Sequence, residues 1–230
     1  MSEPGRILWG AGTGRTIRAH WALKELGLAY ESRPIGARTG ETHSADYVAL
    51  NPRRKIPLLQ DGGLTIGESA AIAAYLGSRY ATSTIRLVPE ESHLHAKWLE
   101  WCFFIVTELD STSLYIIRRH HELKHIYGEA PGVVEQAAEY FRNQLVFVDK
   151  ALCDGRAYLV GSCFSTADIL LTTCLRWAKQ YGIEIGTAPD AYLGRMLARR
   201  AYIEADEANS AAIALSSPLE QRVNRNPTCA

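Results

Sequence analysis

The chain has 230 residues, room for one large domain or two small ones. Hydrophobic residues make up 47% of it and charged residues 22%, the balance of a packed globular protein. Lys plus Arg number 25 and Asp plus Glu number 25, so the formal charge is zero, which removes any global electrostatic case for nucleic acid or an anionic membrane as partner.

The opening segment, MSEPGRILWG, has no apolar h-region and no cleavage site, so no secretory leader is expected. No apolar run reaches the roughly 18 residues of a membrane span. The cysteines, Cys102, Cys153, Cys163, Cys174 and Cys229, are odd in number and scattered, with no C-x-x-C pair. That pattern predicts reduced thiols in a cytoplasmic protein and no disulfide framework or cysteine zinc site.

Arg6–Trp9 reads as a short strand. Thr16–Gly27 carries Ile17, Ala19, His20, Leu23 and Leu26 at helical spacing and stops at Gly27. Tyr30–Ile35 is a second strand, followed by a polar loop and a short helix over Ala45–Leu50 that Asn51-Pro52 ends. Ile56–Gln60 and Leu64–Ile66 flank Asp61-Gly62-Gly63, a hairpin signal, and Glu68–Tyr80 is an alanine-rich helix. The order β-α-β-α-β-β-α indicates a small mixed sheet covered by helices over residues 1–80.

Residues 81–89 read as a linker, and beyond it strand signals cease. Glu90–His125 is a long, kinked helical stretch, broken by Gly128 to Gly132. Val133–Leu152 has Val134, Ala137, Ala138, Phe141, Leu145 and Val148 on one face. Ser165–Tyr181 opens with Ser165 and, three residues on, Asp168, an acidic capping-box pattern read as structural. Asp190–Leu197 and Ala201–Ala208 are shorter helices. An all-helical second domain over 90–209 and a polar tail over 210–230 follow.

Three features of the first 80 residues belong together chemically. Gly10-Ala11-Gly12-Thr13-Gly14-Arg15-Thr16 is a glycine-rich turn from strand into helix. Backbone N–H groups at a helix start favour an anion and lower the pKa of a nearby thiol, and a hydroxyl there can donate to a thiolate. Lys55-Ile56-Pro57 precedes a strand, and its proline is a candidate cis peptide that leaves the Ile56 backbone available to an extended peptide. Glu68-Ser69 opens a helix that can hold a carboxylate, while Glu68 can accept from an ammonium group. Together these describe a pocket for a small peptide with a thiol, an amine and a carboxylate. Thr13 and the Glu68-Ser69 pair each have a plainer reading as helix-start residues.

With these strings in place, the chain resembles the cytosolic glutathione transferase family. The resemblance rests on TGRTIRAHWALKELGL (13–28), Asn51-Pro52-Arg53-Arg54-Lys55-Ile56-Pro57, Gly67-Glu68-Ser69-x-x-Ile72 and Phe164-Ser165-Thr166-Ala167-Asp168-Ile169, and extends over about residues 6–205. It implies an α/β thioredoxin-like N-terminal domain plus an all-α C-terminal domain, the glutathione transferase fold. It also implies a homodimer, with glutathione as co-substrate and no other cofactor. Thr13 stands where the serine-type classes have their catalytic serine, so it is implied to donate to the glutathione thiolate, with Thr16 or Arg15 as the alternative activator. Ile56 is implied to pair with the cysteinyl backbone beside Pro57 of the same glutathione-binding set, Glu68 and Ser69 to hold the γ-glutamyl end, and Lys55 and His43 the glycyl carboxylate. The thiolate attacks a small hydrophobic electrophile, for which Trp101, Phe104, Glu108, Ser111, Tyr115 and Arg118 are the expected lining. A glutathione-dependent disulfide or peroxide reductase and a non-catalytic binding protein are the alternatives on the same fold.

Two rival motifs compete. Gly10-x-Gly12 lacks the third glycine of a dinucleotide fingerprint, because Arg15 stands there. His121-Glu122-Leu123-Lys124-His125 spells H-E-x-x-H, the zinc-protease string, in which both histidines need one helix face. Its downstream ligand position falls on Pro131, which cannot bind zinc, so no metal is expected.

Overall fold

The computed structural model describes residues 5–216, and it divides into two units. The tail beyond 216, with Cys229, lies outside the described residues.

The first unit is built on a four-stranded sheet in the order β2-β1-β3-β4. β1 (Ile7–Trp9) runs parallel to β2 (Glu31–Arg33), joined by α1 (Thr16–Glu25) in a βαβ crossover. β3 (Leu58–Asp61) lies antiparallel to β1, with Leu8 facing Leu59. β4 (Leu64–Gly67) folds back on β3 through Gly62-Gly63, the Asp61–Leu64 pair closing the turn. Gly62 sits at φ +60°, the left-handed conformation such a two-residue turn requires. The predicted hairpin is therefore present. α2 (Ala45–Leu50), capped by the Ser44 hydroxyl, and α3 (Ser69–Arg79) complete the predicted series.

Leu8, Leu59, Ile17, Trp21, Leu23, Ile72 and Leu76 form the core of this unit, each no more than 2% exposed. Each such side chain contributes about 1.5–3 kcal/mol by leaving water. Asp61 is a buried carboxylate of this unit. It accepts from Tyr75 Oη (3.0 Å) and Tyr80 Oη (2.7 Å), with the Arg6 guanidinium 3.6 Å away.

α10 (Arg200–Ser216) returns to this first unit. Tyr202 meets the Trp21 ring edge-on at 4.9 Å, and Lys24 and Glu204 lie 3.9 Å apart. This corrects two sequence expectations. The last helix is longer than Ala201–Ala208, and it packs on α1 instead of closing the helical domain. α1 is buried on more than one face, against α3 and against α10.

The second unit spans Ala81–Arg199. α4 (Ser92–Phe104) passes through a π-helical segment, Ile105–Leu114, into α5 (Tyr115–His120), so the expected long helix is continuous, with its distortion in the middle. The wider π turn is visible where the Tyr115 backbone N–H donates to the Asp110 carbonyl five residues back. α7 (Pro131–Leu152) begins at its proline, which needs no N–H in the first turn. α8 (Thr166–Gln180) is the centre of this unit, with Ile169, Leu170, Leu171, Cys174 and Leu175 fully buried. α9 (Thr187–Leu197) packs beside it. The expected linker is fastened to this unit: Leu87 is buried and its carbonyl accepts from the Thr166 N–H at 2.8 Å.

Candidate functional site

The glycine-rich turn leaves β1 at Gly10, whose φ of +103° suits glycine alone. A Cβ there would lie 2.5 Å from the Ile56 Cβ, so glycine is what lets the turn lie against the Ile56 corner. Ile56-Pro57 is the cis peptide that the sequence suggested. Among the described residues the Ile56 backbone N–H and C=O have no partner. The corner is held from behind: Tyr47 Oη (2.6 Å) and Asn51 Nδ2 (2.8 Å) both donate to the Lys55 carbonyl. Lys55 and His43 are exposed, His43 ending a 3-10 turn over Glu41–His43.

Thr13 and Thr16 form a local knot at the head of α1. Thr13 Oγ1 accepts from the Thr16 N–H (3.0 Å), one of the donors a first helical turn leaves unpaired. Thr13 N–H donates to Thr16 Oγ1 (2.9 Å), and the two hydroxyl oxygens are 3.0 Å apart. Thr13 is half-buried and Thr16 fully buried, while Arg15 between them is half-buried.

The start of α3 completes the group. Glu68 adopts φ +66°, a region that costs a non-glycine residue about 1–3 kcal/mol. It pairs with Arg53, so the prolyl corner and the start of α3 meet there. Ser69 is buried, and Arg18, itself only 2% exposed on α1, donates to its hydroxyl at 3.4 Å. The three motifs picked from sequence are thus brought together in space. Arg53, Arg18 and Asn209, which the sequence reading did not single out, join them. Arg53 and Arg18 were legible as parts of the Asn51–Pro57 and 13–28 strings; Asn209 had no local signal.

His20 supports the turn from below. Its Nε2 lies 3.3 Å from the Gly10 carbonyl, which can only accept, so Nε2 carries the proton and Nδ1 accepts from Tyr30 Oη at 2.8 Å. Burial pushes the His20 pKa down from 6.5 to about 4 and that of Tyr30 up to about 12. Between those two His20 values the unfolded chain binds a proton that the native state refuses. Stability is therefore full above pH 6.5 and falls as the pH drops through the window toward 4. The expected loss is about 3 kcal/mol, read by urea unfolding at neutral pH and near the lower end of that window. His20→Asn should flatten this slope; a variant slope equal to that of the wild type would remove His20 as its source.

The residues expected to line the electrophile site lie along α4, the π-helical segment and α5. Trp101 and Phe104 turn toward Phe147 of α7: Trp101 stacks on it at 4.7 Å and Phe104 meets it edge-on at 5.2 Å. Glu108 accepts from Tyr140 of the same helix at 2.5 Å. The stripe 101, 104, 108 meets α7 through its two aromatic rings and the Glu108 carboxylate. Ser111 is exposed, Tyr115 half-buried, and Arg118 half-buried with Glu122 at 3.4 Å.

The zinc-protease string does not form its helix. α5 ends at His120, the chain turns through His121–Leu123, and the four-residue α6 (Lys124–Tyr127) follows. His121 and His125 therefore do not share a face of one helix. Among the described residues no cluster of three or more His, Cys, Asp or Glu side chains is placed to hold a metal. The buried Cys102 thiol is pushed up to about 12 by desolvation and by the nearby Asp168 charge, so it stays protonated and inert. No helix of the described residues is long and apolar enough to cross a membrane.

A mixed sheet of this order, with a cis-prolyl corner beside a glycine-rich turn, is a thioredoxin-like domain, and here a separate helical domain follows it. Residues 5–78 match the family model of the glutathione S-transferase N-terminal domain and residues 104–198 that of the C-terminal domain. Glutathione S-transferase 1 of Schizosaccharomyces pombe is 32% identical over 154 residues, 64% of either chain. Glutathione S-transferase 3 of Zea mays is 31% identical over 154 residues, 66% of this chain and 68% of its own. The matched chain thus spans about two thirds of the length of these curated relatives. The solved theta class glutathione S-transferase from Xanthomonas axonopodis pv. citri, with glutathione bound, superposes with a TM-score of 0.73 at 28% identity, over 86% of this chain and 95% of that one. The chain belongs to the cytosolic glutathione S-transferase family.

Proposed function

We propose that this protein is a cytoplasmic, homodimeric glutathione transferase that activates the glutathione thiol as a thiolate for attack on a small hydrophobic electrophile. The observation that carries this reading is the half-buried Thr13 hydroxyl, held at the head of α1 in the turn whose Gly10 lies against Ile56. A thiolate there meets a hydroxyl donor and the positive end of a helix dipole, both of which favour the charged form. In this reading the cysteinyl backbone of glutathione pairs with Ile56 next to Pro57. Ser69, Glu68 and the start of α3 take the γ-glutamyl end, and the exposed Lys55 and His43 take the glycyl carboxylate. The hydroxyl, and not the adjacent Arg15, is assigned as activator because a hydroxyl donates a single directed hydrogen bond to sulfur. Apart from glutathione the reaction draws on no cofactor.

The test is glutathione titration of the purified protein, recording thiolate absorbance against pH, with turnover of an aryl halide in parallel. The bound thiol should ionise well below the free value of about 8.5. Glutathione bound with an unshifted thiol would sink the activation mechanism. Light scattering should give twice the mass of one chain; a single-chain mass would sink the dimer.

A further inference from the structure

The Thr13–Thr16 knot has a third member from the far end of the chain. Asn209 lies on α10, beyond the segments that match the family models, and is 7% exposed. Its backbone carbonyl accepts from the Gly12 N–H at 2.9 Å, and its side-chain Oδ1 accepts from the same N–H at 3.1 Å. Oδ1 also lies 2.6 Å from Thr16 Oγ1. Asn209 Nδ2 is 3.4 Å from the Thr13 carbonyl.

These contacts fix where the protons are. An N–H can only face an oxygen, so the Gly12 N–H sets the orientation of the Asn209 amide, with Oδ1 toward Gly12 and Thr16. Amide oxygen Oδ1 cannot donate, so in the 2.6 Å contact Thr16 is the donor. Thr16 has one proton, and it is spent there. Its oxygen meanwhile accepts from the Thr13 N–H. In the 3.0 Å contact between the two hydroxyls only Thr13 can donate. Thr16 is therefore withdrawn from the ligand twice, by burial and by the direction of its proton. Thr13 is the one hydroxyl of the pair with a proton to give.

The geometry points to Asn209 as a positioning residue for thiol activation: it pins the glycine-rich turn at Gly12 and takes the Thr16 proton, leaving the Thr13 hydroxyl to donate to the thiolate of glutathione. This rests on the proposed activation of glutathione by Thr13. Without the Asn209 side chain, Thr16 can turn its proton to the Thr13 carbonyl, 2.9 Å away, and Gly12 keeps only one of its two acceptors. The turn then loses the rigidity that aims the Thr13 hydroxyl, while the contacts proposed for the rest of the tripeptide stay intact.

The experiment compares wild type, Asn209→Ala, Thr16→Val and the double variant as full-length protein. The readouts are the thiol pKa of bound glutathione and the Kd of S-methylglutathione, which has no ionisable thiol. Asn209→Ala is expected to raise the bound thiol pKa by about one unit, a roughly tenfold drop in thiolate below that pKa. Its Kd for S-methylglutathione should stay within about twofold, since a pocket lost to misfolding would weaken both ligands alike. Thr16→Val, which also removes the acceptor of the Thr13 N–H, should shift the pKa at least as far, and the double variant should be no worse than Thr16→Val alone, because both cut the same Thr16–Asn209 link. Should Asn209→Ala fail to fold, Thr16→Val still reads that link from its other end. An unshifted thiol pKa in either folded variant overturns the inference. A wild type that binds glutathione with an unshifted thiol overturns the activation reading itself and this inference with it.

Discussion

Replacing Thr13 with alanine should raise the thiol pKa of bound glutathione by about 1–2 units. The figure follows from one charge-assisted hydrogen bond, worth about 1.5–3 kcal/mol, at about 1.4 kcal/mol per unit. Conjugation at a pH below that pKa should fall by roughly 10- to 100-fold, in kcat more than in KM, because the lost bond is made to the charged sulfur and not to the rest of the tripeptide. Thr13→Ser should stay within a few fold, since serine keeps both the donor and the acceptor of the Thr16 N–H. Thr13 also has the plainer role of pairing that N–H, 3.0 Å away. Losing it costs about 1 kcal/mol, which in a chain of this size lowers Tm by about 2–4 °C and leaves the protein folded at assay temperature. Thiolate absorbance and a thermal scan on the same samples separate the two roles. A Thr13→Ala protein that is less stable but ionises glutathione like the wild type would leave Thr13 as a cap and nothing more.

What the sequence made legible was what local chemistry dictates. Asp61-Gly62-Gly63 could only turn one way between two apolar runs, and it closes the β3–β4 hairpin. Asn51-Pro52 stopped α2 where expected, and the Ser165–Asp168 spacing marked the start of α8. The three site motifs were legible for the same reason, each being a short string with its own backbone consequence. What stayed hidden depended on contacts distant in sequence. Asn209 reaches Thr16 across 193 positions, and nothing near residue 209 announces that partner. The Trp101, Phe104 and Glu108 stripe had the right spacing for a face, but spacing alone does not say whether that face meets a ligand or α7. The HELKH string shows the converse: the residues fit a motif, yet the helix ends one residue before it.

The largest stability effect should come from Asp168. Its side chain is fully buried, and four donors converge on it. Ser165 N–H (2.8 Å) and Ser165 Oγ (2.9 Å) reach Oδ2, while Leu159 N–H (2.8 Å) and Tyr192 Oη (2.6 Å) reach Oδ1. One carboxylate thus ties the start of α8 to the preceding loop and to α9. Burial raises its pKa above the ordinary carboxylate value, and the four donors offset part of that by favouring the charged form. Asp168→Ala strands two buried N–H groups and the buried Tyr192 hydroxyl, each costing about 1–3 kcal/mol when left unpaired. Part of that is relieved by rearrangement, so the net loss should be about 3–5 kcal/mol, a large share of the roughly 5–15 kcal/mol that holds a domain folded. Thermal unfolding followed by circular dichroism should show Tm lower by roughly 10 °C. Asp168→Asn has the same shape but turns an amide NH2 toward the Ser165 N–H or the Leu159 N–H, so it should fall between alanine and wild type. Ser165→Ala, which removes one donor and the hydroxyl cap of the Asp168 N–H but leaves that N–H the Ser165 carbonyl, should cost only about 1 kcal/mol. That ranking, alanine below asparagine below Ser165→Ala, separates a charge held by four donors from a packing defect. An Asp168→Asn protein as stable as the wild type would show that shape, and not the carboxylate, holds this corner together.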